Sequence, residues 1–122
     1  MDHRNQHKLL IVNKAHQLVL AIYKNTKTWP KEEKYSLVDQ IRRAAVSVPS
    51  NIIEGNARNS NKEFLQYLYI ARGSLLEVQY QLRLAHDLNY IHTTHFEHVN
   101  QTLIETSKML TRLLITIKQR IK

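Results

Sequence analysis

The sequence predicts an all-α protein, an antiparallel up-down-up-down four-helix bundle whose second helix is kinked by a proline. Three observations predict it. Only two Gly and two Pro occur in 122 residues, too few breakers for the many turns of a sheet protein. Apolar residues recur at three- and four-residue steps in four separate stretches. The segments between those stretches are short and carry turn and helix-start chemistry. A chain of this length forms one domain, 1–122, with a core of its own, to which oligomerisation would add stability.

The first helix is expected from about Lys8 to Thr26, with Leu9, Val12, His16, Val19 and Ile22 or Tyr23 on its apolar stripe. Leu10, Ile11, Leu18 and Leu20 widen that stripe beyond one bundle seam, which points to more than one neighbour. His16 falls on the stripe and is read as a core histidine rather than a ligand or a base. Residues 3 to 31 hold six Lys/Arg and no Asp/Glu, so the solvent side of this helix is a positive strip.

Asn25 to Pro30 ends that helix, and Trp29 is expected to fold back over the end of the bundle. Pro30 fixes φ, and Glu32 and Glu33 place carboxylates near a positive helix end, so the second helix is expected to start there. It carries Leu37, Ile41, Ala44 or Ala45, Val48 and Ile52 on one face. Pro49 lies inside this pattern; it removes a donor and clashes with the carbonyl four residues back, which kinks the helix without ending it.

Ser60-Asn61-Lys62-Glu63 is a capping-box signature for the third helix. A turn centred near residue 59 would set Ala45 against Gly73 and Ala44 against Ser74, a close approach that explains a mid-helix glycine costing about 1 kcal/mol relative to alanine. Phe64, Leu68, Ala71, Leu75, Val78, Leu82 and Ala85 form an unbroken bundle seam, flanked by a second set of Leu65, Tyr69, Leu76, Tyr80 and Leu84. Thr94-His95-Phe96-Glu97 repeats the capping-box pattern ahead of the fourth helix, whose seam is Phe96, Val99, Leu103, Thr106, Leu110, Leu113, Ile117 and Ile121.

The formal charge of +8 suits polyanionic partners. The chain has no cysteine, which excludes disulfides, thiol chemistry and cysteine-ligated zinc. His92, His95 and His98 recur every three residues, but no His-Glu-x-x-His spacing and no inward carboxylate set accompanies them, so neither a metal nor another cofactor is expected. With no phosphate-cradling glycine loop and no nucleophile motif, no catalytic residue is assigned and an enzyme is not expected. The opening residues lack a signal peptide's apolar core, and no apolar run is long enough to span a bilayer; a cytoplasmic protein without membrane contact is expected.

Arg43, Ser47, Asn51 and Glu54 follow one another at steps of four, four and three, a polar line beside the second helix's seam. It is read chiefly as a hydrogen-bond network that holds the fold. Outward cations are assigned to phosphate contact: Lys14, Lys24, Lys27, Arg42, Arg58, Lys62, Arg72, Lys108, Arg112, Lys118, Arg120 and Lys122. From Thr106 to Lys122 there are five basic residues and no acidic ones.

The run from Gln40 to Gly55, followed by Arg58 to Phe64, Ile70 to Glu77 and Leu84 to Tyr90, resembles the bacterial four-helix-bundle proteins encoded in intervening sequences of 23S rRNA genes. The same motifs resemble the related accessory variability determinants of diversity-generating retroelements. They cover the second and third helices and the turn after them. Ile53 departs from the more usual alanine, and Asn89 from a common glycine that it can replace in a left-handed turn. The resemblance implies a ring, a homopentamer, with a basic surface for nucleic acid; in the retroelement relatives the ring also binds a reverse transcriptase. The expectation is a non-enzymatic oligomeric module that binds nucleic acid, structured RNA foremost, through phosphates. The alternative is an assembly adaptor for a protein such as a reverse transcriptase.

Overall fold

The computed structural model describes residues 3–121, with side chains from residue 10. Among these residues the chain forms four α-helices and no strand: α1 His3–Thr26, α2 Leu37–Asn56, α3 Asn61–Asp87 and α4 Thr93–Gln119. α1 packs on α2 and α4, and α3 packs on α2 and α4, with the most extensive contact between α2 and α3. The core lies on the axis the four helices share.

Three of the four apolar stripes lie where the periodicity puts them. Leu37, Ile41, Ala44, Ala45, Val48 and Ile52 of α2 are buried, as is the whole α3 seam from Phe64 to Ala85 and the α4 seam from Val99 to Ile117. In α1 the buried residues are Ile11, Ala15, Leu18 and Ile22, one position out of register with the expected stripe. His16 is therefore exposed, not a core histidine. The wide stripe allowed either register, and Ala15 offers the core a small side chain where His16 would have brought a polar ring.

The segment after α1 differs from expectation. Pro30, Glu32 and Glu33 open a single 3-10 turn over Lys31–Glu33, and α2 begins only at Leu37. Ser36, at φ −125° and ψ −103°, leaves the helical region and so separates the two elements. Trp29 is buried at the end of the bundle, as expected, with its ring 6.0 Å from that of Tyr90. Tyr90 Oη donates to Glu33 Oε2 at 2.8 Å and so ties the α3–α4 connection to the 3-10 turn. That bond to a carboxylate, with partial desolvation, raises the Tyr90 phenol above its ordinary range. α2 runs through Pro49.

The ends of α3 are capped by local chemistry. Ser60 Oγ accepts from Glu63 N at 3.1 Å and donates to Glu63 Oε2 at 3.3 Å. At the other end Asn89 has φ 63°, Tyr90 N donates to Ala85 O, and Asn89 N donates to His86 O. This is a Schellman stop with asparagine in place of glycine. The second capping box does not form: His92 is the N-cap of α4 and makes no side-chain cap bond, so Thr94 already lies inside the helix. His86 holds this turn instead, stacking on Phe96 at 4.2 Å and lying 3.1 Å, Nε2 to Oγ1, from Thr93.

The close approach of α2 and α3 exists, but elsewhere than expected. Ser74 Oγ donates to Ser47 Oγ at 2.9 Å, and a Cβ added at Gly55 would lie 2.5 Å from Tyr67 Cβ and 2.9 Å from Phe64 Cδ1. The Ser47–Ser74 and Gly55–Tyr67 pairs place the pivot of the hairpin near residue 61, not 59, and they run in opposite senses along the two helices. Gly73 is exposed, with nothing within 4 Å of an added Cβ, so it does not pack on Ala44 or Ala45. Those alanines are buried for their own seam, and the helix-contact glycine is Gly55.

Candidate nucleic-acid interface

The polar line of α2 divides when folded. Asn51 Nδ2 donates to Ser47 O at 2.8 Å and to Ser47 Oγ at 2.9 Å, and Ser74 joins them across the helix pair. Arg43 is not part of this network: its Nε pairs with Asp39 at 2.9 Å on the surface, with 80% of the side chain exposed. Glu54 likewise turns to Arg58 at 3.5 Å. Both are exposed, just beyond the half-buried flank that Ser47 and Asn51 occupy.

Arg42, assigned outward, holds the fold. Its Nε donates to Thr26 Oγ1 at 2.9 Å, its Nη2 donates to Tyr23 O at 3.4 Å, and its guanidinium lies 4.6 Å from the centre of the Tyr23 ring. It thus places a cation on the Tyr23 carbonyl at the C-terminal end of α1, where the helix dipole is negative. Lys14 is also held, by an ion pair of 2.8 Å with Glu105 between α1 and α4. This hydrogen bond, with a weaker one from Gln101 and the lysine charge, holds the Glu105 carboxyl below its ordinary range. Arg58 lies over Tyr67 at 5.1 Å and donates to its hydroxyl at 2.6 Å.

The remaining assigned cations are at the surface. Lys24, Lys27, Lys62, Arg72, Lys108, Arg112, Lys118 and Arg120 are exposed, while Lys122 lies outside the described residues. Two of them meet across a groove between α3 and α4. Arg72, Leu76 and Gln79 face Ile104, Ser107 and Lys108 around a recess of about 130 Å³. Leu76 and Gln79 continue into a second recess of about 320 Å³ with Tyr80, Arg83, Phe96 and Asn100. No acidic side chain lines either recess. Arg72 also lies over the Tyr69 ring at 5.0 Å.

Arg83 was missed in the sequence, although its signal is there: Arg72, Leu76, Gln79 and Arg83 step by four, three and four along the second stripe of α3. Aromatic and aliphatic walls with cations at the rim can hold a phosphate backbone or an extended partner, and they offer no paired acid and base for bond-making chemistry.

Fold and surface define a class: a small helical module with a basic, partly aromatic groove, in which no helix among the described residues is long and apolar enough to cross a membrane. The chain belongs to the 23S rRNA-intervening sequence protein family, whose model matches residues 7–112. Among solved structures it is similar to a protein of unknown function from the S23 ribosomal protein family of Bacteroides thetaiotaomicron VPI-5482. The two are 26% identical, the match covers 88% of this chain and 97% of that one, and the TM-score is 0.81. No curated protein matches the chain.

Proposed function

We propose that this protein is a non-enzymatic, oligomeric module that binds nucleic acid, structured RNA foremost, through phosphate contacts on the α3–α4 face. One observation carries the reading. Lys108, Arg112 and Lys118 are exposed on α4, in a stretch without acidic residues, and Arg72 and Arg83 rim the groove that α4 shares with α3. Phosphate contacts of this kind are sequence-independent and release counterions. The family's name, which ties it to 23S rRNA genes, agrees with RNA as the partner.

The same reading includes self-assembly in the cytoplasm into a homopentameric ring of up-down-up-down bundles. Leu20, Ile53, Ile70, Leu76 and Ile115 are each more than half exposed, more outward apolar surface than a lone bundle needs. The donor that Pro49 removes is proposed to kink α2 and turn Ile53 towards a neighbouring copy. These apolar residues also favour a second reading, an adaptor that holds a protein partner such as a reverse transcriptase.

The test is fluorescence anisotropy of a labelled RNA hairpin as salt is raised. For about four neutralised phosphates, affinity should fall about a hundredfold between roughly 50 and 200 mM salt. Joint Lys108→Glu and Arg112→Glu substitution should abolish binding. Affinity indifferent to salt and to this charge reversal would sink the proposal; under the adaptor reading, capture of the protein partner survives the reversal.

A further inference from the structure

A third recess, also basic, lies at the end of the bundle where α1 stops, the 3-10 turn intervenes and α2 starts. It has a volume of about 280 Å³, and its lining includes Lys27, Trp29, Lys31, Lys34, Val38 and Arg42. Four of these six side chains are cationic, and no carboxylate lines the recess. Of the carboxylates nearest in sequence, Glu33 accepts from Tyr90 Oη and Asp39 pairs with Arg43, while Glu32 is exposed and is not part of the lining.

Trp29 is 95% buried, at 5% exposure, yet its indole Nε1 has no hydrogen-bond acceptor. Native proteins leave few buried donors unpaired, and this one is closed off from solvent, so an acceptor reaches it only when a neighbouring side chain shifts. Arg42 adds a preset cation. Thr26 and Tyr23 engage its Nε and one N–H of Nη2, so its position is fixed before any ligand arrives, and the guanidinium has five N–H donors in all. The first turn of α2 borders the recess through Val38.

Four cations, no carboxylate in the lining and a concave shape select a compact anion with several oxygens. A phosphodiester inside a strand offers two such oxygens along a surface. A terminal phosphate offers three, carries about −1.5 to −2 charges at neutral pH, and can enter a recess head first. We propose that this recess binds a phosphate monoester, either on a free mononucleotide or at the 5′ end of a nucleic acid strand. The site is separate from the α3–α4 face and stands whether or not that face binds RNA.

Trp29 is the only tryptophan, so its fluorescence reports on this recess alone. AMP and a 5′-phosphorylated trinucleotide are expected to change its emission saturably, while adenosine and the 5′-hydroxyl trinucleotide are not. Lys31 and Lys34 are exposed and bear no part of the core, so the joint Lys31→Ala and Lys34→Ala variant should fold normally and bind AMP at least about tenfold more weakly, since charge-assisted contacts are the strong ones.

Tighter binding of the phosphorylated trinucleotide than of AMP identifies a strand end as the natural ligand; equal or weaker binding identifies the free nucleotide. No saturable response to either phosphate, an equal response to adenosine, or an unchanged affinity in the double lysine variant overturns the proposal. The Lys108→Glu, Arg112→Glu variant should keep its full response to AMP, which separates failure of this site from failure of the RNA-binding face.

Discussion

Gly55 and Gly73 differ in surroundings, and alanine at each should move stability in opposite directions. Both lie within helices, so each substitution gains about 1 kcal/mol of helix propensity. At Gly73 nothing lies within 4 Å of the new Cβ, and that gain should appear nearly whole, as a rise of about 3 to 5 °C in Tm for a domain of this size. At Gly55 the new atom would lie 2.5 Å from Tyr67 Cβ, 2.9 Å from Phe64 Cδ1 and 3.0 Å from Tyr67 Cγ. Overpacking of this sort costs about 1–3 kcal/mol. Tyr67 Cβ moves only with the backbone of α3, so the cost belongs in the upper half of that range, and the net loss should be about 1–2 kcal/mol. Urea denaturation of both variants beside the parent protein, with matched m-values, measures the pair. Gly55→Ala at or above parental stability, or Gly73→Ala below it, would refute the α2–α3 register described above.

Two further substitutions separate neighbouring arginines. Arg42→Ala should lower stability by about 1–2 kcal/mol, because it uncaps α1 and strips cover from Tyr23, whereas Arg43→Ala should stay within about 0.5 kcal/mol, as expected for an exposed ion pair; chemical denaturation reads both. Glu105 supplies a pH signature. Its carboxyl is held below the ordinary value of 4.5 in the folded state, so the unfolded chain takes up its proton first as the pH falls. The stability it contributes is fully present above about 4.5, the ordinary value, and is lost as the pH drops through its lowered folded value. Glu105→Gln should therefore flatten the acid limb of a stability-against-pH profile and leave the neutral region's slope unchanged; an acid limb identical to the parent's would count against the Lys14–Glu105 link.

Helical periodicity made most of the fold legible. The α2, α3 and α4 seams follow from spacing alone, because a side chain's position around a helix depends on little else than its number. The Ser60 cap was readable because the groups that bond there are three residues apart, and the left-handed Asn89 through the resemblance, in which glycine is common at that position. The α1 register was not: nearly every position from Leu9 to Ile22 that is not charged offers apolar surface, and only the gap left by the other helices selects Ala15 over His16. The candidate sites were legible as composition and not as places. A count of cations cannot tell Arg42, which caps α1, from Arg43, which points to solvent, because adjacent residues differ by 100° around the axis and what waits on each side belongs to another helix.

By itself, then, the sequence determined four helices, three of their buried faces, the positive charge and the family. The tertiary structure decided the partners: that Gly55 and not Gly73 admits the neighbouring helix, that Arg83 joins Arg72 at the groove, and that Lys27, Lys31, Lys34 and Arg42 gather around Trp29. Local structure follows from bonds between near neighbours in the chain. The hairpin pivot follows from how side chains of α2 and α3 interlock, and its shift from residue 59 to residue 61 changes every pairing along the two helices.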